Sequence, residues 1–284
     1  MDQQEVLHKL QKEELDVLLV IAELCEKNGI TWFLISGTAL GAARHQGFIP
    51  WDDDIDIGML REDYDRFLEL ASDGLPVGYS LHTAENTKGF AALFAKVYRD
   101  GTVFQTAETR EAGCDQGIFV DIFPFDRAPV DGRACSRLRK RAAFWQRASY
   151  LYHSGHITVP HKGLLGATEQ VACRTAHVVT RLLLTPDIIL RRFRLLSGGA
   201  PSRSAQDDEC YLMLSYPYRD PVARELLVPT VTASFEGHEL SVPARLCDYL
   251  EGCYGDWHKM PAPADRHTHL PERLVFSDGT EWRA

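Results

Sequence analysis

The sequence predicts an α/β protein of the α+β kind: a mixed β-sheet flanked by helices, with an added helical lobe that is basic. Three observations carry this. Apolar residues recur near the helical period in the opening segment and again between residues 136 and 184. Short β-branched and aromatic runs, separated by Gly, Pro and Asp, occupy much of residues 30–123. Positive charge is concentrated in the middle of the chain, where strand patterns are absent.

In order, residues 4–28 predict a helix, with Leu7, Leu10, Val17, Leu18, Ile21, Leu24 and Cys25 on its apolar side and Gly29 closing it. "ITWFLIS" predicts a strand ending in Gly37-Thr38, and "TALGAARHQ" a short helix closed by Gly47. A loop with Pro50 leads to a strand over "DIDIGM", then to an amphipathic helix over "REDYDRFLEL" that stops near Gly74. Further strands are expected at "YSLHT", "FAALFAKVYR", "TVFQT" and "GIFVDIF". The resulting order α-β-α-β-α-β-β implies a mixed sheet. From Asp126 to about Leu196 the pattern is helical, clearest in "SRLRKRAAFWQRASYLYH" and "TEQVACRTAHVVTRLLL", and "SGGAPSRSAQDDE" is linker-like. A hairpin at "VTASFEGHELSV" turns near Gly237, a last helix at "PARLCDYLEGCYG" starts at Pro243, and "HKMPAPADRHTHLPERL" reads as loop. The organisation expected is a catalytic core over 1–126, a basic helical lobe over 127–206, and a C-terminal hairpin, helix and tail over 207–284 that completes the active-site lobe.

With 284 residues, 45% hydrophobic and 25% charged, the chain is long enough to bury one large core or two moderate ones. No run of about 18 apolar residues occurs, and the charged N-terminus lacks the features of a secretory leader. A cytoplasmic location is expected, with membrane association on the inner face. The seven cysteines are scattered without a CxxC pair, against a disulfide framework or a zinc knuckle. Between Gly132 and Gln206 thirteen Arg or Lys residues face two acids, so this segment carries +11 where the whole chain carries −9, leaving −20 on the rest. Such asymmetry points to a polyanionic partner, an anionic membrane surface above all, or to arginines that face water and pair with the acidic remainder. Nucleic acid is not expected, since the chain as a whole is acidic and no reading motif is present.

The stretch "FIPWDDDIDIGM" sets aspartates among residues that prefer a core. In a strand Asp54 and Asp56 share one face while Ile55 and Ile57 take the other. Two carboxylates so placed hold one Mg²⁺ or two; the alternative is an acidic turn in which Asp caps a helix. Asp53 faces away from Asp54, which suits a structural role. Asp121 sits in the apolar run "GIFVDIF", where an unpaired charge would cost several kcal/mol. It needs a partner, a shared metal being one and the capping of a strand-end turn before Pro124 the other.

"SGTALGAARHQGFIPWDDDIDIGM", "GIFVDIFPFD" and "YGDWHKMPAPADRHTH" together resemble the LicD family, which includes phosphorylcholine transferases and, more distantly, fukutin-type proteins, within the nucleotidyltransferase superfamily. The resemblance implies a nucleotidyltransferase-like mixed sheet and transfer of phosphocholine from CDP-choline, or of a group from a related CDP-activated donor, to a hydroxyl of a glycan acceptor. It implies Asp54 and Asp56 as ligands of Mg²⁺ or Mn²⁺, Asp121 as third ligand or as base, and Gly37 and Thr38 as a phosphate-approach turn. Arg44 and Lys96 are the candidate phosphate cations. A quaternary ammonium requires aromatic faces, for which Trp51, Phe48, Tyr98, Phe125, Tyr216, Tyr218 and Trp257 are candidates. Tyr254, Gly255 and His269 match the family's closing pattern. Two other functions stay open at this point: transfer of another CDP-activated polyol phosphate or of a nucleoside monophosphate on the same fold, and a noncatalytic polyanion-binding module.

Overall fold

A computed structural model describes residues 1–156, 163–197 and 209–284. The chain opens with α1 (Gln3–Asn28), started by a capping box in which the Asp2 side chain accepts from the Glu5 N–H and Glu5 returns the bond to the Asp2 N–H. Leu10, Val17, Leu18 and Ile21 form its buried stripe, and Gly29 caps it in the left-handed conformation. There follow β1 (Phe33–Leu34), α2 (Ser36–His45), β2 (Asp56–Leu60), α3 (Arg61–Gly74), β3 (Tyr79–His82), β4 (Ala95–Arg99), β5 (Val103–Gln105), α4 (Ala107–Ala112) and β6 (Ile118–Ala128).

The main sheet is mixed, in the order β1-β2-β6-β4-β3. β2 and β6 run parallel, whereas β1–β2, β6–β4 and β4–β3 are antiparallel. From residue 126 on, β6 pairs with β7 (Cys210–Leu212), which pairs with β8 (Val222–Ala223). The strand expected to end before Pro124 runs through it. Asp121 donates its N–H to the Ile55 carbonyl on the β2 side, so by alternation Pro124 faces the β4 side, where pairing has already stopped at Ile122. A missing N–H costs nothing there.

Two other expectations at the N-terminal end change. β1 is only two residues long, because Ser36, at φ 50°, turns directly into α2, so Gly37 and Thr38 lie in a helical first turn instead of a strand-end loop. That helix ends at Gln46 (φ 57°), one residue before Gly47. Gly47 instead leaves room for the Glu236 carboxylate, whose Oε1 accepts from the Phe48 N–H at 3.0 Å and would have to move aside for a β-carbon at position 47.

The basic segment forms α5 (Gly132–His153), α6 (Gly163–Leu183) and α7 (Pro186–Ser197). Ala142, Phe193 and Leu196 from this lobe share a small core with Leu93, Leu212 and Leu214, which seats it at the β7 end of the sheet. Of the linker-like stretch 197–209, residues 198–208 lie outside the described residues. Beyond it come α8 (Arg224–Leu227), the hairpin β9 (Val231–Phe235) and β10 (His238–Val242), and α9 (Leu246–Tyr254). The hairpin turns on Glu236 and Gly237, both at positive φ. Pro243 lies outside α9, whose cap is Arg245. The tail is not all loop: β11 (Arg273–Val275) and β12 (Glu281–Arg283) join β5 in a separate three-stranded sheet, drawing β5 out of the main one.

Candidate active site

Asp56 of β2 and Asp121 of β6 are register partners, Lys96 of β4 is the partner of Asp121, and His82 of β3 the partner of Lys96. Register partners project to the same face of a sheet, so these four side chains form one row across four strands. Asp54 stands two residues before Asp56, with Ile55 and Ile57 fully buried on the opposite face. The backbone here is pinned. The Asp56 N–H donates to Thr38 Oγ1 at 2.9 Å and the Asp56 carbonyl accepts from the Ile35 N–H at 3.1 Å. Gln11 Nε2 donates to the Asp52 carbonyl at 2.8 Å, and Asp53 accepts from the His269 N–H at 3.0 Å, tying α1 and the tail to the aspartate run.

Charge is poorly compensated in this row. Lys96 Nζ pairs with Asp121 Oδ1 at 2.8 Å and lies 3.3 Å from the centroid of the Phe119 ring. Burial raises the Asp121 carboxyl despite that ammonium. Burial, with Asp121 and Asp53 nearby, pushes Asp54 up to about 6, and burial with Asp54 and Asp53 pushes Asp52 up to about 8. Asp56 is raised well above the carboxylate range by burial, then by Asp54 and Asp121. A fifth acid, Glu14 of α1, has no exposure and neither of its oxygens has a hydrogen-bond partner among the described residues. Burial and then Asp54 raise it as well.

The remaining expected residues divide. Thr38 is buried, and its hydroxyl serves Asp56. Gly37 lies against Asp52, whose Oδ2 would sit 2.7 Å from a β-carbon at that position. Arg44, in the last turn of α2, donates from Nη1 to the Trp257 carbonyl at 3.1 Å, so it is turned to the tail and not to the carboxylates. Glu14 was not anticipated. Its signal was an acid on the apolar stripe of α1, four residues after Leu10 and three before Val17.

Oxygen-only carboxylate donors form the hard ligand set that Mg²⁺ or Mn²⁺ takes. Four aspartates and a glutamate without a hydrogen-bond partner among the described residues, with Lys96 paired to Asp121 alone, are the charge pattern that a divalent cation relieves, so these residues fit the ion. Among the described residues no three acid, His or Cys side chains already converge on one point, so binding the ion requires side chains to turn toward it. A pH dependence follows. The folded chain keeps protons on Asp52 and Asp54 to about pH 8 and 6, whereas the unfolded chain loses them near 3.8. The native state therefore binds more protons between these limits, and its stability falls as pH rises across them. Metal-free protein is expected to melt lower at pH 8 than at pH 5 by calorimetry, and Mg²⁺ to restore more stability at pH 8 than at pH 5.

Beside the row opens a cavity of about 960 Å³, with Lys96 and Phe119 on its floor and Phe90, Phe104, Tyr150 and Tyr218 around it. Of the aromatic candidates, Tyr218 lines this cavity, whereas Phe48, Tyr98 and Phe125 belong to the main core.

A family model described as LicD/FKTN/FKRP, nucleotidyltransferase domain, matches residues 29–162. Over 260 residues, 90% of this chain and 92% of the relative, the chain is 35% identical to the lipopolysaccharide cholinephosphotransferase LicD of Haemophilus influenzae. It is 48% identical over 59 residues, 21% of this chain and 19% of the relative, to an uncharacterized protein of Rickettsia typhi. A similarity of 32% over 79 residues, 27% of this chain and 17% of the relative, links it to the human ribitol-5-phosphate transferase FKTN.

Proposed function

Because the chain belongs to the LicD family, we propose that it moves phosphocholine from CDP-choline to a hydroxyl of a cell-surface glycan or its lipid-linked precursor, with Mg²⁺ held by Asp54, Asp56 and Asp121. It is an enzyme, and the group that it transfers contains phosphate. The observation that supports the proposed chemistry best is the register of β2 on β6, which sets Asp56 beside Asp121 with Lys96 next in line.

Phosphoryl transfer is mostly positioning and charge neutralisation. When bound, Mg²⁺ supplies the charge that offsets the diphosphate and the leaving phosphate. The chain's own groups do the rest. Thr38 fixes the strand position of Asp56 through its N–H. Lys96, held between Asp121 and the Phe119 face, offers ammonium donors to the transferred phosphate. The bond from phosphorus to the CMP oxygen breaks as the bond to the acceptor oxygen forms, and the acceptor's proton passes to a carboxylate of the cluster.

The cavity's aromatic side chains support choline as the transferred head group, because a trimethylammonium is held by ring faces. Tyr150→Ala is expected to raise the KM for CDP-choline about tenfold, the loss of one cation–π face, with a smaller effect on kcat. The overall reading is tested by offering CDP-choline, CDP-ribitol and nucleoside triphosphates in turn and following CMP against pyrophosphate. CMP from CDP-choline is the expected product; pyrophosphate from a triphosphate would replace the proposal with nucleotidyl transfer.

A further inference from the structure

Outside the active site, the helical lobe exposes a row of large aliphatic side chains. On α6, Val171, Val178, Val179, Leu182 and Leu183 are 64, 55, 47, 78 and 72% exposed. Their spacing places them on one stripe of the helix. Singly exposed aliphatic side chains are ordinary, but five on one stripe form a patch that calls for a cover. The neighbouring helices add Phe144 of α5 and Leu195 of α7, also well exposed. Basic residues are exposed on these same two helices of the lobe. Arg133, Arg137, Lys140 and Arg141 share the side of α5 that carries Phe144, by helical spacing, and Arg191 and Arg192 are exposed on α7. None of these six makes an ion pair among the described residues, whereas Arg139 is committed to Asp220 and Arg194 to Glu85.

We propose that the lobe α5–α7 docks on an anionic lipid membrane, with the aliphatic stripe of α6 entering the headgroup boundary and the unpaired arginines and Lys140 meeting acidic headgroups. Among the described residues no helix is long and apolar enough to cross a membrane, so the contact is made from one side. An anionic bilayer offers both things this lobe lacks, hydrocarbon for the stripe and negative charge for the unpaired cations. A second copy of the chain fits less well: a twofold contact through this face would set the same unpaired cations of both copies against each other.

The test is flotation of the full chain with vesicles of phosphatidylglycerol and phosphatidylcholine, beside vesicles of phosphatidylcholine alone. The protein is expected to float with the anionic vesicles only, and raised salt is expected to weaken binding. Combined Val178→Ser, Leu182→Ser and Leu183→Ser should cut the bound fraction about tenfold, as should Arg137→Glu with Lys140→Glu and Arg141→Glu. Both variants should leave the melting temperature unchanged and CMP release from soluble substrates intact, since none of these residues belongs to the active site. Equal binding to both vesicle types, no binding to either, or a dimer in light scattering that the serine variant dissociates would each overturn the proposal. Because binding is read without catalysis, failure here is separable from failure of the proposed transferase activity.

Discussion

Asp56→Asn is expected to lower CMP release from CDP-choline by about a thousandfold while raising the melting temperature of the metal-free protein by roughly 2–4 °C. Both effects come from one carboxylate. Asp56 makes no ion pair among the described residues, and its carboxyl is raised by burial and by Asp54 and Asp121. An amide of the same shape removes that repulsion from the folded state, and no buried cation loses its partner. It also removes a charged oxygen donor from the proposed ion site, where stabilisation of developing charge cannot be recovered from solvent. The wild-type chain should gain melting temperature with added Mg²⁺, because a ligand that binds only the native state stabilises it; the variant should gain little. Calorimetry with and without the ion, beside a CMP assay, reads all three outcomes. A variant that retains activity, or that melts lower without metal, would mean that Asp56 is structural.

Arg61→Met is expected to destabilise the protein by about 3–5 kcal/mol, the cost of stranding a buried charge. Arg61 begins α3 directly after β2, and its guanidinium grips Asp126 of β6 with two bonds, Nε to Oδ1 at 2.7 Å and Nη2 to Oδ2 at 3.0 Å. Asp126 is 1% exposed. Burial pushes its carboxyl up to about 6 even with the arginine present, so without Arg61 it would be protonated or costly at neutral pH. The clamp joins the C-terminal ends of the two parallel strands that carry Asp56 and Asp121, which makes it a positioning element for the row as well as a stabilising one. Asp126→Asn in the Arg61→Met background should return part of the loss, because the stranded charge is then gone. Urea unfolding of the single and double variants measures this; an additive double variant would mean that the pair contributes nothing beyond its separate residues.

The sequence made parts of this site legible for physical reasons. Alternation of Asp54 and Asp56 with Ile55 and Ile57 is the period of a strand with one buried face, and Asp121 stood out as a charge inside an apolar run. Their meeting was a matter of register, which no local pattern encodes: Asp56 opposes Asp121 because β2 pairs parallel to β6 across 64 intervening positions of chain. Glu14 was hidden for a similar reason. A helix of this polarity normally turns its acids to water, and only the packing of α1 beneath the aspartate run puts this one in the site. The Gly37-Thr38 pair reads as a strand-end turn because a strand-like run precedes it, but the helix starts at Ser36, two residues before the Thr38 at which the sequence predicts it. Pairing of β5 with β11 joins segments almost 170 residues apart, so the tail looked like loop from its prolines alone. Aromatic residues carried the least information. Phe48 and Phe125 fill the core, and only the folded chain distinguishes them from Tyr150 and Tyr218 at the cavity.

The proposed cluster is most directly tested by diffraction from crystals grown with Mn²⁺ and a nonreactive CDP-choline analogue, using the anomalous signal of the metal. The account predicts a peak bounded by carboxylate oxygens of Asp54, Asp56 and Asp121 at about 2.1 Å, with the diphosphate on its open side. Density in which these three side chains diverge around ordered water, with the metal elsewhere or absent, would contradict it.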